Sequence, residues 1–164
     1  MAKPLQIARP DQGALDVAQR AFMTLQRCAF TGDWEPFVEL LTDDVRIMWP
    51  VPGFDGLTVG KDRVREMIAS HHQGNLKRVR LDCKRVAANG PVVMMECRVE
   101  GEMGSGPSAN GLLFVFEIRG DRIAASHEYV IWTSRPDSSR WLDETFAREA
   151  FAGSEPAIPF DEQA

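Results

Sequence analysis

The feature that most constrains this chain is a change of hydrophobic period near its middle. Apolar residues recur at helical spacing in the first half, whereas the second half holds β-branched or aromatic runs at 79–86, 92–99, 112–118 and 123–132. Turn-forming segments such as Asn89-Gly90 separate these runs. Helices followed by an antiparallel meander indicate an α+β domain with the helices packed on one face of a curved sheet, and they disfavour the alternating parallel class.

The first half predicts three helices and one short strand. The first helix has an Asp11 N-cap and ends near Gly32, and a short second helix follows Asp33 and closes at 42–44. A strand at 45–49 is cut short by a proline- and glycine-rich loop, and the third helix covers about 61–70. The tail has room for one more helix.

The length of 164 residues, with 44% hydrophobic and 26% charged residues, predicts one folded domain. We expect a flexible leader at 1–10, the domain at 11–133 and a C-terminal extension at 134–164. This extension could be a lid over the pocket, a dimer clasp or a frayed end.

Charge and composition disfavour several classes of partner. The net charge of -5 and the absence of a long basic block argue against nucleic acid, and no apolar run is long enough to span a membrane or to form a secretory signal, so we expect a cytoplasmic protein. Cys28, Cys83 and Cys97 lack metal-binding spacing and predict reduced thiols. Adjacent histidines such as His71 and His72 point apart on a helix. We therefore expect no metal and no cofactor.

Several linked motifs follow one another along the chain: GDWEPF at 32–37, LTDDV at 41–45, VGKD at 59–62, DRI at 121–123 and HEY at 127–129. Together they resemble the SnoaL-like superfamily, which includes the nuclear transport factor 2-like and ketosteroid-isomerase-like domains. The resemblance implies a cone in which helices cover a concave sheet around one small-molecule pocket. Because isomerases, hydrolases, cyclases, dehydratases and binding domains share such a fold, the resemblance alone does not give the function.

Alternation within the strands suggests which side chains line that pocket. Arg98 and Glu100 project from one face of their strand, and Glu128 projects from one face of the last strand. If these faces are concave, all three charged groups enter one apolar pocket as the catalytic residues. The predicted ligand-binding residues are Trp49, Met48, Arg46, Asn110, Leu112, Phe114 and Phe22.

This arrangement is similar to the limonene epoxide hydrolase family, which uses an Arg-x-Asp pair and an Asp before a Tyr in the last strand. The matching residues are Arg98-Val99-Glu100 and Glu128-Tyr129, and the resemblance implies proton transfer by two carboxylates that an arginine orients. The first strand departs from that family, since 46–49 reads RIMW and lacks its water-positioning Tyr and Asn.

Ketosteroid isomerases resemble the chain less closely at their catalytic positions. Their base is an Asp just before the proline of this loop, where this chain has Trp49, and their oxyanion hole uses a Tyr and a protonated Asp. The single tyrosine here is Tyr129, although Arg46 could stabilise an enolate if it faces inward.

Two functions therefore remain open. The first is a cofactor-independent hydrolase, lyase or isomerase that acts on an apolar small molecule as a homodimer. The second is a non-catalytic ligand-binding or dimerisation module, in which Arg98, Glu100 and Glu128 form an ion ladder on an exposed face. In either case His127 falls on the face opposite Glu128.

Overall fold

The computed structural model describes residues 7–49, 56–71, 76–103, 106–130 and 158. Its elements in chain order are α1 (Gln12–Thr31), α2 (Glu35–Val38), β1 (Leu41–Met48), β2 (Leu57–Val59), α3 (Lys61–His71), β3 (Leu76–Asn89), β4 (Val92–Met103), β5 (Gly106–Arg119) and β6 (Arg122–Val130). The predicted α+β class, with helices ahead of an antiparallel meander, is confirmed. Apart from Ile158, the C-terminal extension and the helix predicted in it lie outside the described residues.

Helix α1 begins and ends where its sequence signals indicate. The Asp11 carboxylate accepts a hydrogen bond of 3.2 Å from the Ala14 N–H, which satisfies one of the free donors of the first turn. Gly32 ends the helix in the left-handed region at φ 82°, and its N–H donates to the Cys28 carbonyl at 2.8 Å. The helix buries Ala18, Phe22 and the rest of its apolar stripe against the sheet.

The region between α1 and α3 differs from its prediction in two places. Helix α2 is only four residues long, and Leu41 begins β1 in the stretch that we expected to close a helix. The reason is tertiary: β1 pairs with β6 in parallel from Leu41 and Ile123, and the Ile123 N–H donates to the Leu40 carbonyl at 2.9 Å. Strand β2, which was not predicted, pairs with the end of β1.

The six strands form one mixed sheet in the order β2-β1-β6-β5-β4-β3. Strands β1 and β6 are parallel, and all other neighbours are antiparallel. The predicted Asn89-Gly90 turn joins β3 to β4, with Gly90 at φ 59°. The end of the leader lies on this turn, where the Ala8 N–H donates to the Asn89 side-chain oxygen at 2.6 Å.

One face of the sheet packs against α1, and we call it the inner face. Phe22 of α1 contacts Phe114 of β5 edge to face, with ring centroids 6.1 Å apart, and Phe114 stacks on Phe116 at 5.9 Å. Met95 and Cys97 of β4 lie beside these rings and are fully buried. The opposite face of the sheet is the outer face. Because α1 covers the inner face, a side chain there lies in apolar surroundings.

Candidate active site

Glu128 is the one ionisable side chain of β6 that points to the inner face. It lies directly opposite Phe114 of β5, and Ser126, two residues earlier on the same face, is buried opposite Phe116. Residues two apart on a strand share a face, so Glu128 follows Ser126 into the apolar side of the sheet. The carboxyl group is partly buried among aromatic and aliphatic neighbours.

Trp49 supplies the hydrogen bond to this carboxyl group. It follows the last residue of β1, and since Met48 pairs with His127 of the parallel strand β6, Trp49 lies alongside Glu128. The indole Nε1–H of Trp49 donates to Oε2 of Glu128. Trp34, from the start of α2, contacts Trp49 edge to face, with centroids 6.0 Å apart and an interplanar angle of 81°. The contact between the two tryptophans restricts where the indole donor can point.

Burial raises the pKa of Glu128 to about 8. The cause is the loss of water around the ionised form, which apolar surroundings disfavour. In the described part of the chain, Glu128 has a hydrogen bond from Trp49 and forms no salt bridge. A carboxyl group with this pKa is mostly protonated at pH 7, so it can donate a proton as well as accept one.

The prediction that Arg98 and Glu100 share a face of the sheet with Glu128 is wrong. Arg98 pairs with Gly111 of β5. Leu113, two residues further along β5, shares that face and pairs with Tyr129 of β6. Arg98 and Glu100 therefore lie on the outer face, where they form a salt bridge with each other.

The physical reason for this correction is the register between β4 and β5. Odd-numbered residues of β4 pair with even-numbered residues of β5, as in Cys97 with Leu112, so Cys97 rather than Arg98 shares the face of Glu128. His127, which pairs with Val115, lies on the outer face opposite Glu128, as predicted.

The other predicted pocket residues divide between the two faces. Leu112, Phe114 and Phe22 lie on the inner side and are buried, in agreement with their predicted position. Met48 and Arg46 do not, because they pair with His127 and Ala125 and so project outward; Arg46 is exposed there. Asn110 pairs with Val99, and its side chain lies outside the described residues.

Sequence reasoning missed Trp34 and the bond between Trp49 and Glu128. Trp34 stands in the GDWEPF motif, which was used for the family resemblance and not for the pocket, and its aromatic character was an available signal. The indole–carboxyl bond depends on β1 lying parallel to β6, a contact between residues about eighty positions apart in sequence. No local pattern reports such a contact.

Comparison with known proteins now identifies the family. The profile of the SnoaL-like domain matches residues 20–126, which span most of the described fold and include β6 up to Ser126. The chain belongs to the SnoaL-like domain family. No curated protein matches the chain.

Several solved structures resemble this SnoaL-like domain. An NTF2-like protein from Anabaena variabilis ATCC 29413 is 30% identical, with a TM-score of 0.69, over 74% of this chain and 91% of that one. An LEH-like epoxide hydrolase of M. tuberculosis is 22% identical, with a TM-score of 0.56, over 70% and 83%. A protein with a ketosteroid isomerase-like fold from Catenulispora acidiphila DSM 44928, in complex with trimethylamine, is 14% identical, with a TM-score of 0.57, over 66% and 83%. The last two likenesses show the fold alone.

The described segments hold neither a candidate membrane-spanning helix nor a candidate metal cluster. None of the helices there is long and apolar enough to cross a membrane. Within the same segments, no three His, Cys, Asp or Glu side chains are grouped in a way that could hold a metal ion.

Proposed function

We propose that this SnoaL-like domain is a cofactor-independent enzyme in which Glu128 performs general acid–base chemistry on a mostly apolar small molecule. The observation that carries the proposal is a carboxyl group on the apolar inner face with a single hydrogen-bond donor, Trp49, and no salt bridge in the described part of the chain. Isolation from water and from cations favours the protonated form at neutral pH. Such a group can give a proton to a bound molecule and take one back.

The Trp49 bond assigns different roles to the two carboxyl oxygens. Oε2 accepts the indole N–H, so in the neutral acid the proton resides on Oε1 and is free to be donated. A substrate oxygen that receives this proton becomes a better leaving group, and the carbon bonded to it becomes more electrophilic. The carboxylate that remains accepts a proton from water or from a carbon acid. Hydrolysis, elimination and isomerisation all fit this cycle of one proton given and one taken.

The substrate class follows from the surroundings of Glu128. Phe114 and Leu112 on the same face, and Trp49 beside the carboxyl group, favour an apolar body with one oxygen acceptor, such as an epoxide or an enolisable ketone. The LEH-like epoxide hydrolase among the similar structures makes epoxides the first compounds to test. Arg98 and Glu100 were the other catalytic residues expected from the sequence, and their place on the outer face leaves Glu128 as the acid and the base.

The test compares Glu128→Gln with the matched variant Glu117→Gln, which alters an exposed carboxylate of β5. A panel of apolar epoxides and enolisable ketones is incubated with the wild-type protein, and diols or isomers are measured by chromatography. For the compounds that react, Glu128→Gln should lower turnover at least about a hundredfold, because the amide cannot transfer the proton. Ligand affinity, measured by tryptophan fluorescence, should change little, and Glu117→Gln should react at the wild-type rate. Wild-type turnover by Glu128→Gln would rule out the proposal.

A non-catalytic binding module is the second candidate. It is favoured by the inner-face residues of β1, since Val45 and Ile47 are buried hydrophobic side chains that cannot position a water molecule. In that case a compound would bind, remain chemically unchanged, and bind equally well to both glutamine variants. Product formation that depends on Glu128 distinguishes the enzyme from the binding module.

We also propose that two copies associate through the outer face, as a homodimer. Leu113 and Val115 are partly exposed there, and 46% of the Tyr129 surface is exposed beside His127, at a centroid distance of 6.5 Å. An apolar strip with a tyrosine and a histidine is typical of protein interfaces. Light scattering after size-exclusion chromatography should give a dimer for the wild type and a monomer for Tyr129→Asp. A wild-type monomer would contradict this proposal.

The cytoplasmic location stays a prediction.

A further inference from the structure

Two buried thiols face each other across β3 and β4, and the proposed acid–base chemistry does not use them. Cys83 pairs directly with Cys97, and both side chains are fully buried. Both are free thiols. The sequence alone did not indicate that the two thiols lie together, because thirteen residues, which include a turn, stand between them.

The backbone hydrogen bonds identify the type of pair. The Cys83 N–H donates to the carbonyl of Ile158, and the Ile158 N–H donates to the carbonyl of Cys83, each at 3.1 Å. Both backbone groups of Cys83 therefore point to Ile158, away from β4, which makes Cys83 and Cys97 a non-hydrogen-bonded antiparallel pair. Such pairs bring their Cα atoms to about 4.5 Å, within the roughly 4.4–6.8 Å that disulfides span. A disulfide between them needs little backbone movement.

The two thiols differ in acidity. The neighbouring Cys97 thiol lowers the pKa of Cys83, because its S–H stabilises the Cys83 thiolate once that forms. Burial raises the pKa of Cys97, and the neighbouring Cys83 and the ionised form of Glu128 add to that effect. Cys83 is accordingly the first of the two to ionise and is the nucleophile, while Cys97 follows as the resolving thiol.

We propose that Cys83 and Cys97 form a redox-active pair, in which a hydroperoxide oxidises the two thiols to a reversible cross-strand disulfide. The Cys83 thiolate attacks one oxygen of hydrogen peroxide, the O–O bond breaks, and the departing oxygen leaves as water with the proton that Cys83 released. The sulfur of Cys97 then attacks the sulfenic acid of Cys83, the S–O bond breaks, and a second water carries away the proton of Cys97. Two thiols lose two electrons, and one peroxide becomes two waters.

Access to the buried sulfurs is expected at the outer edge of β3. Next to Cys83, the described residues cover this edge with a single-residue bridge from Ile158, made of the two bonds given above. Opening two hydrogen bonds is easier than opening a strand pair, so the bridge limits how fast peroxide reaches Cys83. Ile158→Pro removes one of the two donors and should speed the oxidation several-fold.

The third cysteine provides the internal control. Cys28 is buried on α1, and burial raises its pKa, but no cysteine of the described residues pairs with it. The full-length protein is treated with excess hydrogen peroxide under native conditions, remaining thiols are alkylated, and the product is mapped by mass spectrometry without reduction. Wild type and Cys28→Ser should both lose two hydrogens, yield a peptide cross-linked between Cys83 and Cys97, and recover with dithiothreitol.

Single variants of the pair identify the order of events. Cys97→Ser should stop at a sulfenic acid on Cys83, which dimedone traps, whereas Cys83→Ser should form neither the cross-link nor that adduct. Circular dichroism checks that each variant is folded. The proposal is overturned if folded Cys28→Ser keeps both thiols under peroxide, if the cross-link forms only in urea, or if Cys28 is one of its partners. An unchanged rate in Ile158→Pro would overturn the assigned route of access.

Discussion

The two faces of the same sheet hold glutamates with opposite character. Glu100, on the outer face, is exposed and forms a salt bridge with Arg98. Glu128, on the inner face, is partly buried, accepts a hydrogen bond from Trp49, and burial raises its pKa to about 8. The same side chain is thus exposed beside a cation in one place and, at neutral pH, mostly a neutral acid in the other.

This difference shows that the face of the sheet, more than the identity of the residue, decides what a carboxylate can do here. An exposed carboxylate in a salt bridge with an arginine contributes little to stability. A carboxyl group among Phe114, Leu112 and Trp49 loses hydration, and the loss changes its free energy by about 1.4 kcal/mol for each unit of pKa. A buried carboxyl group with a raised pKa is typical of functional sites.

The largest measurable consequence is a pH-dependent loss of stability that Glu128 causes. Its pKa lies near 8 in the folded protein and at 4.5 as an ordinary glutamate, so the folded state holds the proton more tightly. The contribution of the protonated Glu128 to stability is therefore fully present below pH 4.5. It is lost as the pH rises towards 8, and it changes no further above that pH. We expect Glu128→Gln to raise the free energy of unfolding by roughly 2–4 kcal/mol at pH 9 relative to wild type, and by much less at pH 4.5.

Urea unfolding across this pH range, followed by circular dichroism, measures the effect. Glu100→Gln serves as the outer-face counterpart, since it removes an exposed carboxylate of the same sheet. Parallel stability curves for wild type and Glu128→Gln would mean that Glu128 titrates as an ordinary glutamate, and the contrast between the faces would disappear.

A smaller effect is expected from removing the hydrogen bond of Trp49. Trp49→Phe keeps an aromatic ring against Trp34 but loses the indole N–H that donates to Glu128. Because a hydrogen bond stabilises the ionised carboxylate more than the neutral acid, its loss should raise the pKa of Glu128 further, by about one unit. The pH profile of turnover should move upward by the same amount, with a modest fall in rate.

Titration of carbon-13-labelled glutamate by nuclear magnetic resonance reads this pKa directly. Trp34→Phe is the matched control, since it keeps the indole donor of Trp49 and should move the pKa less. A lower pKa in Trp49→Phe would show that the indole favours the neutral acid, and would change the role given to Oε2.

The comparison also explains how far the sequence could lead. The helix signals of Asp11 and Gly32, the Asn89-Gly90 turn and the alternating runs lie within short segments, so the fold and the inner position of Phe114 followed from local patterns. Alternation also placed Arg98 and Glu100 together correctly, but it cannot say which face of β4 matches which face of β5.

That choice depends on the register, and a shift of one residue exchanges the two faces of a strand. Here Cys97, rather than Arg98, aligns with the face of Leu112 and Glu128. The meetings of Trp49 with Glu128 and of Cys83 with Cys97 likewise result from strand pairing across the sheet. The sequence indicated Glu128 as a candidate, whereas its hydrogen bond with Trp49 is seen only in the structure.

The smallest expected effect tests the outer face itself. Arg98→Met keeps the length and apolar stem of the side chain but removes the charge that pairs with Glu100. Since both partners are partly exposed to solvent, with 32% and 48% of their side-chain surfaces accessible, we expect the free energy of unfolding to fall by only about 0–1 kcal/mol. The difference should shrink further in high salt, which screens exposed charges. Turnover should stay within about twofold of wild type, because a group on the outer face does not reach Glu128. Urea unfolding at low and high salt, with rate measurements on the same samples, measures both effects. A large loss of turnover at unchanged stability would mean that Arg98 influences Glu128 through the sheet. In that case the two faces would not be chemically separate.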